Sequence, residues 1–525
     1  MQEPFDSGRW LPPKAAGFGL PDDAMDGTRP PKTTRTNPWL VAAAWFTIAA
    51  VIATILISQA VLNASLDDDP NPDDPIGLLL SRMQMQYIVG ASKLAPGNAR
   101  LNADLYDAAL QFNLGTVAQR QRFLPVAAEI AGREEARDHL FQLQHDVFEM
   151  EERQSDPAFE LTEAQHNVNT ALDVLYGDDT VDGPEAVAEL TDDQRALLVQ
   201  ELEWFGELAL HPEGVDDSAA RQAVLAPATR VMATLVTVAI LSVVLGLVGF
   251  IGLIVMIVLL TRGKFSSSID PGRVAHGIYA ETFAIWLVGF FLLQEGIAVV
   301  FEKQLLPDSW QMPMVLIGFF ASLVALGWPV VRGATFSDVR KDIGLTLGHS
   351  PGLEPLLGPM CYIVGLPIVG LGLVMTLVLM LLQGALAMGG AGTELIFTPT
   401  GGAAHPVILE VAGGNWSARI QVLLLAAVAA PIVEETMFRG VLYRHLRDGY
   451  RRQGFVISVI LSTALSSFVF AIIHPQGWVA VPLLMSLAVV FCLAREWRGT
   501  LIPSILVHGI SNGLVLTLLI VVLSG

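Results

Sequence analysis

Nine runs of apolar residues constrain this 525-residue chain more than any other feature. They fall at about 38–62, 231–260, 277–301, 313–331, 355–384, 418–443, 455–474, 479–494 and 500–523. A hydrocarbon layer roughly 30 Å thick needs about 20 apolar residues per helix, and only helices or closed barrels satisfy every backbone group there. Charged residues make up 16% of the chain, against about 25% in soluble domains. The expected fold class is therefore all-α: a polytopic membrane bundle of about nine spans, with one soluble acidic helical domain inserted.

The flanking charges orient the bundle. Residues 1–37 are polar and rich in proline and glycine, which predicts a disordered arm, and they are too long a lead for a signal peptide. Arg29, Lys32 and Arg35 precede the first span (38–62), and Asp67, Asp68 and Asp69 follow it. Basic residues stay on the cytoplasmic side, so the N-terminus is expected in the cytoplasm and residues 67–229 outside it. Later connections repeat the bias at Arg262, Lys264 and Arg273, at Arg332, Arg340 and Lys341, at Arg444, Arg447, Arg451 and Arg452, and at Arg495 and Arg498. The pattern predicts a multi-pass protein of a bacterial inner membrane. Residues 230–416 would hold spans two to five and their loops, with a kink at Pro367. The long Gly389–Asn415 connection is placed to act as a lid.

The formal charge of −20 is concentrated in one segment. Residues 63–229 carry 32 Asp plus Glu against 10 Lys plus Arg, a balance of −22. Nucleic acid is excluded as a partner on that balance. Apolar residues at helical spacing over Ile76–Ser92, Leu101–Leu114, Val117–Ile130, Glu134–Glu152 and Thr191–Leu210 predict an all-helical domain. Thr191 and Gln194 have the spacing of a capping box. His145, His166 and His211 are scattered and read as solvated or packed side chains. Cys361 and Cys492 both lie in apolar runs, so neither a disulfide framework nor a zinc cluster is available.

The chemistry concentrates in Pro431–Gly440, inside the sixth run. A charged residue at a bilayer centre costs roughly 2.5–3.5 kcal/mol, and two carboxylates and an arginine occur here together. Glu435 and Arg439 are i, i+4 neighbours and can pair. Glu434 lies about 100° further round the helix and is less readily neutralised. One carboxylate reads as structural, the other as free to react. Two further i, i+4 pairs follow, Phe470 with His474 and His508 with Asn512, each presenting two side chains on one helix face. Gly348-His-Ser350-Pro-Gly352 matches a nucleophile-elbow pattern, but Pro351 removes the N–H an oxyanion hole needs there, and no strand precedes it.

The order Glu-Glu-x-x-x-Arg, Phe-x-x-x-His, His-x-x-x-Asn resembles the CPBP family of intramembrane metalloproteases. That family includes type II CAAX prenyl endopeptidases and bacteriocin self-immunity proteins, and the likeness covers residues 417–525. It implies hydrolysis of a peptide bond in a membrane-embedded or membrane-tethered peptide, with the lipid bilayer as the setting. On that resemblance Glu434 is the general base and His474 helps to orient the attacking water. His508 and Asn512 stabilise the oxyanion, and Phe470 shapes the pocket. Glu434, His474 and His508 also form a His₂Glu set, the ligand types of one class of zinc site. Whether a divalent metal such as zinc is the cofactor stays open, since family accounts include both metal-dependent and metal-free water activation. The alternative reading is a non-proteolytic scaffold or receptor that uses the same pocket for binding. A transporter is less well supported, because no inverted repeat of the Glu-Glu helix is present. Depth is an obstacle to convergence: Glu434 and His508 lie about 15 and 12 Å from the basic ends of their runs, and His474 about 28 Å.

Overall fold

The computed structural model describes residues 34–67, 75–95, 97–114, 116–153, 161–178, 180–214, 218–264, 267–387, 411 and 415–523. Most of the expected N-terminal arm, and the Gly389–Asn415 connection except Val411 and Asn415, lie outside these residues. Among the described residues all regular structure is helical. Nine helices among the described residues are long and apolar enough to cross a membrane: Pro38–Gln59, Ala219–Thr261, His276–Glu302, Asp308–Val331, Glu354–Gln383, Trp416–Gly449, Phe455–Ile472, Trp478–Arg498 and Ile502–Leu523. They coincide with the nine apolar runs, and the chain is an integral membrane protein.

The first helix, α1 (Pro38–Asp67), leads to a group of amphipathic helices. These are α2 (Pro75–Ser92), α3 (Ala99–Leu110), α4 (Val117–Ile130), α5 (Arg133–Arg153), α6 (Glu163–Tyr176), α7 (Gly183–Glu189), α8 (Asp192–Leu202) and α9 (Trp204–Leu210). They enclose a core that includes Phe123, Leu124, Leu172, Leu198 and Phe205. Thr116 with Gln119, Thr162 with Gln165 and Thr191 with Gln194 form capping boxes, each satisfying orphan N–H groups at a helix start. Two differences from the sequence reading are local: Leu101–Leu114 ends as a 3-10 turn, Gln111–Leu114, and Thr191–Leu210 is broken at Glu203 into α8 and α9. The helices α6 and α7 were not singled out from sequence. His139, not singled out from sequence, is packed among Tyr106, Asn113 and Phe123, and burial lowers its pKa.

This group is carried by α10 (Ser218–Thr261), whose 44 residues run on into the membrane. At Gly90 an added Cβ would meet the Ala228 carbonyl oxygen at 2.4 Å, so α2 and α10 touch through their backbones. Glu129, held by Lys93 at 2.6 Å and Arg221 at 2.7 Å, ties α4 to the same helix.

The remaining helices pack around a second core that includes Phe283, Trp286, Phe438, Phe470 and Phe491. They are α11 (His276–Glu302), α12 (Gln311–Ser322), α13 (Trp328–Val331), α14 (Phe336–Asp342), α15 (Glu354–Ala387), α16 (Trp416–Gly449), α17 (Phe455–Ile472), α18 (Val481–Arg498) and α19 (Ile502–Leu523). The helix α15 runs unbroken through Pro359 and Pro367. At its basic end α16 continues six residues beyond the apolar run, because its arginines are neutralised within the fold. Arg447 pairs with Glu496 at 3.0 Å and Arg444 with Asp448 at 3.2 Å.

Candidate active site

The backbone of α16 is irregular on both sides of the two glutamates. A π-helical stretch at Leu425–Ala429 precedes an α-helical turn, Ala430–Glu435, and a second π-helical stretch covers Thr436–Leu442. Such insertions recur at functional sites because they widen the helix and re-aim its side chains. The first has a visible cause. The Ala430 N–H bonds the Leu425 carbonyl five residues back, and the next residue in that register, Pro431, has no N–H to offer Ala426. Asn512 of α19 donates its Nδ2 to the Ala426 carbonyl instead, at 2.9 Å. Beside it Gly509 lets α19 approach: a Cβ there would lie 2.5 Å from the Ala427 carbonyl oxygen.

Close approach of α19 brings His508 onto the glutamates. Glu435 Oε1 accepts from Arg439 at 2.9 Å and from His508 Nδ1 at 3.0 Å, and the side chains of Glu435 and Arg439 are 0% exposed. The guanidinium carbon lies 4.4 Å from the Phe470 ring centre and 4.8 Å from that of Phe491, and Nη2 donates to the Ala488 carbonyl. His508 stacks on Phe491 with ring centres 4.8 Å apart. Because a carboxylate can only accept, Nδ1 of His508 carries the proton and Nε2 turns its lone pair outward. His474 is set the same way: its Nδ1 donates to the Phe470 carbonyl at 2.6 Å.

Both Nε2 atoms face one oxygen of Glu434. His474 lies 4.0 Å and His508 3.9 Å from Oε2, too far for direct hydrogen bonds and close enough for a water to bridge Glu434 to either imidazole. Glu434 and His474 side chains are 17% and 21% exposed, so this carboxylate, unlike Glu435, is reachable. The depth mismatch resolves through helix length. Glu434 lies 15 residues, about 22 Å, from Gly449, where α16 ends. At its start α19 is sunk into the bundle, its Leu501 N–H bonded to the Gly344 carbonyl.

Of the residues singled out from sequence, Glu434, His474 and His508 converge, and Glu435 and Arg439 pair behind them. Phe470 packs edge-on against Phe438 and under Arg439. Asn512 is committed through one amide hydrogen to the Ala426 carbonyl, inside the first π-helical stretch. Phe491, which carries the His508 ring, was not anticipated; one phenylalanine in an apolar run bears no mark of its role.

The site's donor chemistry suits a divalent metal, since each histidine has its Nδ1 held by an acceptor and its Nε2 turned to Glu434. Its spacing does not. Tetrahedral zinc, with bonds near 2.0–2.1 Å, would draw ligand atoms to roughly 3.3 Å of one another, inside the 3.9 and 4.0 Å observed. Among the described residues no three His, Cys, Asp or Glu side chains stand close enough to hold a metal ion.

Residues 416–514 match the family model of the type II CAAX prenyl endopeptidase Rce1-like proteins, about a fifth of the chain. The three motifs all lie inside that match, so this segment is similar to the family the motifs pointed to. The Staphylococcus aureus (strain USA300) protein named membrane-embedded CAAX protease MroQ is 28% identical over 93 residues, 18% of this chain. The chain spans 37% of that relative's length. No solved structure matches the chain.

Proposed function

We propose that the protein is an intramembrane endopeptidase that hydrolyses a peptide bond of a membrane-embedded or membrane-tethered protein or peptide. The observation that carries the reading is the pair of imidazole Nε2 atoms set 3.9 and 4.0 Å from one reachable Glu434 oxygen, while Glu435 is neutralised. Similarity of residues 416–514 to CAAX endopeptidases supports it.

In this mechanism a water held between Glu434 and His474 gives its proton to Glu434 as its oxygen attacks the carbonyl carbon. The C–O bond forms and the carbonyl electron pair moves to oxygen. His508, whose Nδ1–H is held by Glu435, donates from Nε2 to that oxyanion once this nitrogen has taken a proton from solvent, and the remaining amide hydrogen of Asn512 is a second candidate donor. Collapse of the intermediate breaks the C–N bond, and Glu434 returns its proton to the leaving amine. No step passes through a metal. The substrate class is a peptide held at the bilayer by an apolar or lipid anchor; a prenylated C-terminus is the example that the relatives' names suggest.

Purified protein in liposomes should cleave such an anchored peptide, and dialysis against EDTA should leave the rate unchanged. Activity lost to the chelator and restored by zinc would install a metal at Glu434, His474 and His508. Binding of anchored peptides without cleavage of any would favour the scaffold or receptor alternative.

The proposed setting is a bacterial inner membrane, with the N-terminus in the cytoplasm and residues 67–229 outside, on the basic bias of the loops. Asn167 in α6 and Ser337 in α14 are both exposed. In a variant lacking Cys361 and Cys492, a membrane-impermeant thiol reagent on intact cells should label Asn167→Cys and spare Ser337→Cys. The opposite labelling would invert the orientation.

A further inference from the structure

His474 lies in the turn beyond α17, whose C-cap is Ile473, and Pro475 follows it. The last carbonyls of a helix have no intrahelical donors, and proline offers none for the turn. At this turn the Nε2 of Gln59 donates to the His474 carbonyl at 3.3 Å, from 415 positions earlier in the chain. Gln59 lies in the first apolar run, within α1 (Pro38–Asp67). It is a polar side chain in an apolar stretch, and its Nε2 is used in this contact.

The register that puts Gln59 there is set a second time along α1. Trp45 donates its Nε1 to His445 Nε2 at 3.2 Å, and His445 Nδ1 bonds the His276 carbonyl at 2.8 Å. Trp45 and Gln59 are 14 residues, about 21 Å, apart on one helix. The first span is thus pinned to α16 at one level and to the turn after α17 at another, with α11 between.

We propose that Gln59 is a positioning residue for His474, so that the first span, outside residues 416–514, completes the active site. The proposal rests on the proteolytic reading of Glu434 and His474. Gln59 contacts neither the Glu434 carboxylate nor the imidazole; it fixes the His474 backbone. The ring, already tied to the Phe470 carbonyl through Nδ1, then keeps its Nε2 aimed at Glu434. An imidazole swinging on a free turn would spend less time oriented to hold the attacking water.

The test is a double-mutant cycle on the full chain in liposomes. Gln59→Leu, and Gln59→Glu, which keeps the length but loses the N–H donor, should each lower kcat about tenfold, near the scale of one lost hydrogen bond. KM and melting temperature should not change. In a His474→Ala background, Gln59→Leu should cause no further loss. An unchanged kcat in the single variants would overturn the proposal, as would an equal loss in both backgrounds or a fall confined to melting temperature. If the unaltered protein cleaves no peptide, the proteolytic reading fails, and the contact is read separately by NMR of ¹³C-labelled histidine rings. Gln59→Leu should then shift the His474 signal, assigned by its loss in His474→Ala, and leave the His508 signal in place. An unmoved His474 signal would overturn the positioning itself.

Discussion

Glu434→Gln should lower kcat for peptide hydrolysis by roughly 10²–10⁴, the usual worth of a general base, with no change in melting temperature. Glutamine keeps the shape of the side chain but cannot take a proton from water. Little stability should be lost, because among the described residues the ion-pairing contacts of Glu434 are the two imidazoles at 3.9 and 4.0 Å, both beyond hydrogen-bond length. The side chain is also partly exposed, so the amide meets water or substrate instead of a sealed core. Initial rates on an anchored peptide and a thermal melt in the same detergent decide the matter. Wild-type cleavage by the variant would remove Glu434 from the role of base.

The neighbouring carboxylate should behave in the opposite way. Glu435→Gln and Arg439→Ala should each destabilise the bundle by about 3–5 kcal/mol, the range for breaking a buried pair from one side. Both side chains are 0% exposed, and Glu435 Oε1 serves Arg439 and His508 at once. Removing the carboxylate charge leaves a guanidinium uncompensated among Phe438, Phe470 and Phe491; removing the arginine leaves a carboxylate and a cavity. Activity should fall as well in Glu435→Gln, since a neutral amide, which can donate as well as accept, replaces the carboxylate that sets the His508 tautomer. The double variant Glu435→Gln with Arg439→Met should be less destabilised than the sum of the single changes, as residues in direct contact are not additive. Melting temperature and folded yield measure this. If Glu434→Gln unfolds the bundle and Glu435→Gln only silences it, the two roles are exchanged.

Some of this was readable from the chain and some was not, for reasons that differ residue by residue. The nine spans follow from apolar length, and the Thr191–Gln194 cap from an i, i+3 spacing; both are local properties that neighbours in sequence determine. The Glu435–Arg439 contact is of the same kind, since four residues on one helix meet whatever surrounds them. The end of α16 was not readable. Arg444 and Arg447 mark a membrane boundary in a lone helix, and only the approach of Glu496 from α18 and the pairing with Asp448 let the helix continue inward from Gly449. The widening of that helix beside Glu434 depends equally on α19, which supplies Asn512 for a carbonyl that Pro431 cannot serve and Gly509 for the close approach. Adjacent in sequence, Glu434 and Glu435 carry the same chemistry; packing alone seals one among phenylalanines and turns the other toward two imidazoles. Gln59 is the extreme case, a single amide in an apolar run with no periodicity to mark it. Apolar length, caps and i, i+4 neighbours are set by covalent proximity, so the sequence alone determined them. The partners of Glu434, His474 and Gln59 come from other helices, and their identity was decided only when the helices took up their depths and registers.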